Sequence, residues 1–163
     1  MSKSNNKKIC IVAQSLSKGG AERSSALLSK MLFSLGCDVH IVTVLSGVDY
    51  EYSGTLFNLG ELKDKRDTFF GRLHRLQVFK KYLKTHQFDV IIDNRSRVQA
   101  FTEFIITTFI YKIPTVYVIH NFETSKSFTK YAWLNTLLYK NKMMTCVSSE
   151  AKMKFETQFK LNR

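Results

Sequence analysis

Short β-branched runs alternate along this chain with stretches whose apolar residues recur every three or four positions. Residues 9–13 (ICIVA) form a continuous apolar run, the pattern of a strand covered on both faces. Five more strands are expected at residues 38–45, 55–59, 88–93, 115–120 and 143–148. Between them, Leu27, Leu28, Met31, Leu32 and Leu35 share one helical stripe, stopped by Gly36. Leu73, Leu76, Phe79 and Leu83 mark a second helix; residues 98–111, 128–141 and 150–159 supply three more, the first of these ended by Pro114. The order β-α-β-β-α-β-α-β-α-β-α predicts a doubly wound, mainly parallel α/β sheet of about six strands flanked by helices. Neither a linker nor a repeat interrupts it, so residues 1–163 read as a single domain.

Composition removes several alternatives. Thirteen Phe and 7 Tyr against one Pro exclude a disordered chain. Three Cys cannot build a disulfide scaffold; Cys10, Cys37 and Cys146, each beside apolar or β-branched neighbours, are expected as buried thiols in a reducing compartment. Residues 1–8 are polar, so no leader is expected, and Glu103, Lys112 and Pro114 interrupt the most apolar stretch, so no membrane-spanning helix is expected either. A cytoplasmic protein follows from these readings.

The net charge of +12 calls for an anionic partner: nucleic acid, a membrane surface or a phosphate-rich substrate. Its densest patch is Lys63, Lys65, Arg66, Arg72, Arg75, Lys80, Lys81 and Lys84, interleaved with Phe69, Phe70, Phe79 and Tyr82. That pattern describes either a helix lying on the inner face of an anionic cell membrane or an ordinary amphipathic helix with a solvated face. Nucleic acid ranks lower, because no RNP, KH or helix-turn-helix pattern accompanies the charge.

In a doubly wound sheet, ligands sit beyond the carboxyl ends of the strands, and polar residues concentrate there. Gly19 and Gly20 lie where a strand passes into a helix, either as a cradle for a phosphate against helix amides or as a flexible turn. No Lys-Ser/Thr pair follows them and no G-x-G-x-x-G is present, which excludes a P-loop and leaves a dinucleotide fingerprint weak. His120, followed by Asn121, ends the fifth strand: a contact for a sugar hydroxyl or phosphate, an acid or base, or a satisfied core imidazole. Asn94, Arg95 and Arg97 form another strand mouth, where the two guanidiniums read as an anion clamp or as solvated loop residues. Ser148 closes the sixth strand. No Cys/His spacing resembles a zinc site and no Asp-x-Asp stands at a strand end, so no metal is expected.

Residues 8–12 (KICIV), the segment Gly19-Gly20-Ala21-Glu22-Arg23 and the leucine-striped helix to Gly36 together resemble the start of family 4 glycosyltransferases. The resemblance continues through residues 88–92, 118–121 and 145–149. It implies the N-terminal, acceptor-side, Rossmann-like domain of a GT-B enzyme that transfers a sugar from a nucleotide donor with retention of configuration. Gly19 and Gly20 would then approach the donor diphosphate and His120 would contact the transferred sugar; Arg23 beside the glycine pair, and Asn94, Arg95, Arg97, Asn121 and Ser148 at the neighbouring strand mouths, are the further substrate-binding candidates. The donor is a co-substrate and no further cofactor is implied; the acceptor would be a saccharide or a lipid-linked glycan in polysaccharide or glycolipid synthesis. Such enzymes carry a second, donor-binding domain that residues 1–163 do not include, so this chain is expected to be inactive by itself. The competing reading is a non-catalytic basic module for an anionic membrane or nucleic acid, which needs neither the glycine pair nor His120.

Overall fold

The computed structural model describes residues 6–63 and 66–159; Lys65, one of the patch residues above, lies outside them. Six strands, β1 (Lys8–Ala13), β2 (Asp38–Thr43), β3 (Thr55–Asn58), β4 (Val90–Asp93), β5 (Thr115–Ile119) and β6 (Met143–Cys146), form one sheet in the order β3-β2-β1-β4-β5-β6. Every pairing is parallel. The helices are α1 (Gly20–Ser34), α2 (Phe69–His86), α3 (Ala100–Ile105), α4 (Thr124–Ser127), α5 (Ala132–Tyr139) and α6 (Ser149–Phe159). This is the Rossmann-like, doubly wound class expected, with the direction of winding reversing between β1 and β4.

Alternate side chains of the central strands feed two cores. Cys10, Val12, Val42, Ile91, Tyr117 and Ile119 join Phe79, Leu83, Phe128, Leu138 and Phe155 on one face. Ile11, Val39 and Ile41 meet Ala26 and Leu16 on the other. The long passage from β2 to β3 carries no helix; Tyr50 and Tyr52 pack against this second core instead.

Three local expectations need correction. The leucine stripe of α1 does not face the sheet: Leu27, Met31 and Leu35 are 51%, 63% and 76% exposed, while Ser25, Ala26 and Ser29 are buried. Small residues let the helix lie close to β1 and β2, and only Leu28 and Leu32 reach the core from the stripe. The helix expected over 128–141 is shorter and begins only at Ala132, because Thr129 Oγ1 donates to Asn135 Oδ1 (2.8 Å) and Asn135 Nδ2 to the Thr129 carbonyl (2.7 Å), which closes a turn before α5. Of the three free thiols only Cys10 is fully buried, and burial pushes it well above its ordinary range; Cys37 and Cys146 are half-buried. Among the described residues no helix is long and apolar enough to cross a membrane.

Candidate functional site

The reversal point between β1 and β4 leaves an open hollow of about 410 Å³, lined by Gly20, Arg23, Ser24, Leu27, Leu28, Met31, Asn94 and Val118. A Cβ placed on Gly20 would meet nothing within 4 Å, so the glycine leaves room where α1 begins. Gly19 has φ +154°, and its N–H donates to the Tyr50 hydroxyl (3.4 Å). The Glu22 carboxylate lies where a Cβ on Gly19 would be, so this acidic side chain sits over the helix N-terminus that a phosphate would favour.

A chain of hydrogen bonds crosses the reversal point. Asn94 is anchored by its N–H on the Val12 carbonyl (2.7 Å). Ser25 Oγ donates to the Ala21 carbonyl (2.8 Å), so its oxygen is left to accept from Asn94 Nδ2 (2.9 Å). This fixes the Asn94 amide with Oδ1 toward His120 Nε2, 3.3 Å away. An amide oxygen only accepts, so Nε2 carries the proton and Nδ1 keeps its lone pair. Burial, reinforced by the Arg97 charge, lowers the His120 pKa below its ordinary value, and the Glu22 carboxylate opposes the shift in part. The imidazole is therefore neutral near pH 7, and its Nδ1 is an acceptor for a hydroxyl.

The sign of that shift makes a prediction. A folded pKa below the unfolded value, about 6.5, means that the unfolded chain binds more protons in the interval between them, so acidification through that interval costs stability. The C2–H resonance of His120 should titrate with a midpoint below 6.5; a midpoint at or above that value would contradict the buried, Asn94-bonded imidazole.

The other expected residues separate. Arg23 is exposed at the hollow and is its one cationic wall. Arg95 and Arg97 do not form a solvent-facing clamp; both are buried and turned inward. Arg95 pairs with Asp93 (2.9 Å) and Glu103 (3.1 Å). Arg97 donates to the carbonyls of Val118 (2.8 Å) and Asp93 (3.2 Å) and stacks over Phe128 and Tyr117. Burial alone would raise the Asp93 pKa, but the two guanidiniums hold it below the usual carboxylate range; burial prevails at Glu103, whose pKa is raised. Asn121 Oδ1 accepts from the Glu123 N–H (2.9 Å) and shapes the turn before α4. Ser148 Oγ caps α6 by accepting from the Ala151 N–H (3.2 Å), and it lines a different cavity, of about 660 Å³, beside β6. The structure thus gathers Gly20, Arg23, Asn94 and His120 and leaves Asn121 and Ser148 in capping roles.

Ser25 and Glu22 were not foreseen as site residues. Ser25 had a readable signal: a small polar residue inside a helix, with Ser29 one turn later, on the side that turns inward. Among the described residues, no group of three or more His, Cys, Asp or Glu side chains is arranged to hold a metal ion.

A single parallel sheet wound in both directions, with an open hollow at the reversal, defines the Rossmann-like, doubly wound class of α/β domains. Residues 18–163 match Glycosyltransferase Family 4, and the chain belongs to that family. Among solved structures it is similar to a glycosyltransferase from Rickettsia africae ESF-5, with a TM-score of 0.62 and 17% identity over 97% of this chain. The match covers 41% of that protein, so the present chain spans about two fifths of its length. No curated protein matches.

Proposed function

We propose that this chain is the acceptor-side half of a nucleotide-sugar-dependent, retaining hexosyltransferase, working at the cytoplasmic side of a membrane in polysaccharide or glycolipid synthesis. The observation that carries this reading is the hydrogen-bonded chain from His120 through Asn94 and Ser25 to the first turn of α1. It sets a neutral imidazole acceptor beside the opening of a helix, with the glycine pair and Arg23 at that opening.

The division of labour follows from charge. As the bond between sugar and diphosphate breaks, the leaving group gains negative charge, which the α1 amides and Arg23 are placed to stabilise. Glu22 must swing aside to admit it, since its carboxylate occupies that terminus. His120 Nδ1 accepts a hydrogen bond from a sugar hydroxyl and so orients the sugar ring. The donor is a co-substrate shared with a second domain beyond these residues, which supplies the remaining nucleotide contacts.

Incubating the protein, donor-binding domain included, with a panel of nucleotide hexoses and a membrane-lipid extract should release nucleoside diphosphate and label a product. Residues 1–163 alone should release none. Failure of the two-domain protein to release diphosphate from any donor in the panel would overturn the reading.

A further inference from the structure

A third cavity, of about 350 Å³, opens on the other side of the same strand mouths, and its lining includes Gln14, Lys63, Asp67, Arg72, Arg75 and Arg95. Among the described residues Asp67 is the one carboxylate lining it, and it is already taken by Arg75 and by Arg72 Nε (3.2 Å). Arg75 Nη1 is buried with no hydrogen-bond partner among the described residues, a donor left free for an acceptor. Lys63 adds a further cation. The cavity continues into an apolar groove of about 260 Å³ that shares Arg72, Leu76, Gln99 and Thr102 with it and is walled by Phe69, Leu73, Ala100 and Phe101. Phe69 and Phe101 contact each other, centroids 5.9 Å apart, yet are 56% and 58% exposed, and Phe70 beside them is 80% exposed.

Cations at one end and bare aromatic rings at the other describe an amphiphile. Building on the acceptor-side reading above, we propose that this pocket and groove seat the acceptor, and that the acceptor is a phosphate-bearing lipid. Arg72, Arg75 and Lys63 hold the phosphate, and the hydrocarbon lies along Phe69 and Phe101. A soluble sugar phosphate would satisfy the guanidiniums and leave the groove wet, whereas a lipid covers both. Gln14 directly follows β1 and Arg95 lies two residues past β4, beside Asn94, so a head group seated here lies next to the hollow proposed for the donor.

Titration calorimetry on the protein with dodecyl phosphate below its micellar concentration, inorganic phosphate and dodecyl glucoside separates the sources. Dodecyl phosphate is expected to bind at least about tenfold more tightly than either of the others. Arg75→Gln and Phe101→Ser should each weaken it about tenfold, while a Lys80→Gln/Lys81→Gln/Lys84→Gln triple variant stays within about twofold. Phe101 is a surface ring, so its variant keeps the test sound should Arg75→Gln fail to fold. Equal binding of inorganic phosphate would assign the pocket to a soluble phosphate and overturn the lipid; equal binding of the glucoside would remove the role of the cations. Loss in the triple variant with none in the other two would reduce the effect to diffuse surface charge. Each of these negative results leaves diphosphate release from the donor intact, so failure of the acceptor assignment is distinguishable from failure of the transferase reading.

Discussion

His120→Ala, in the protein with its donor-binding domain, is expected to lower sugar transfer by about 10²-fold or more while donor affinity changes by less than about threefold. Two features set that split. The hollow wall that faces a diphosphate is made by α1 and Arg23, and the alanine variant touches neither. What it removes is the one acceptor held in place by Asn94, whose own orientation Ser25 dictates. Asn94→Ala should reproduce a milder form of the defect, because it frees the imidazole to rotate without deleting it. Steady-state kinetics with a fixed acceptor would check both. Full turnover in His120→Ala would remove the histidine from the chemistry and leave the hollow as a binding surface alone.

Arg95→Met should be the most destabilising single change among the residues discussed, at about 3–5 kcal/mol and roughly a 10 °C fall in the thermal midpoint. Asp93, Arg95, Arg97 and Glu103 are all buried, and their charges cancel in pairs. Removing Arg95 strands two carboxylates away from water with Arg97 as their remaining cation, and Tyr139, which donates to Glu103 Oε2 (3.1 Å), cannot replace a charge. Arg23→Met, at an exposed position, should move the midpoint by no more than about 1–2 °C. Thermal and urea unfolding of the two variants therefore separate an arginine that builds the fold from one that serves the site. Equal midpoints would show that the buried quartet contributes nothing.

That contrast also marks what could be read in advance. The six strands and their alternation with helices follow from runs of β-branched residues between helical periods, a local signal, and parallel topology follows from connection lengths. The place of the hollow followed in turn, since a doubly wound sheet leaves one where winding reverses. Arg95 and Arg97 turn inward because of packing that a strand mouth does not reveal: the fold buries Asp93 and brings Glu103, eight positions on, and the Val118 carbonyl, 21 positions on, to the guanidiniums. The inward side of α1 departs from the leucine stripe for a different reason. Counting leucines assumes that the most apolar side is the buried one, whereas close helix–sheet packing selects the smallest residues. Nothing local tells that Asn94 will meet both Ser25 and His120, which are 69 and 26 positions away from it.

Ser25, Ala26 and Ser29 hold α1 against the strands, and Ser29 Oγ also accepts from the Ser53 N–H (3.1 Å) of the chain passing from β2 to β3. One consequence reaches the chemistry. The distance across the hollow is gauged by the bulk that these side chains lack, so an added methylene at Ala26 would lift the helix and stretch the bond that steers Asn94. The width of the hollow is thus set from behind, by side chains on the buried side of α1.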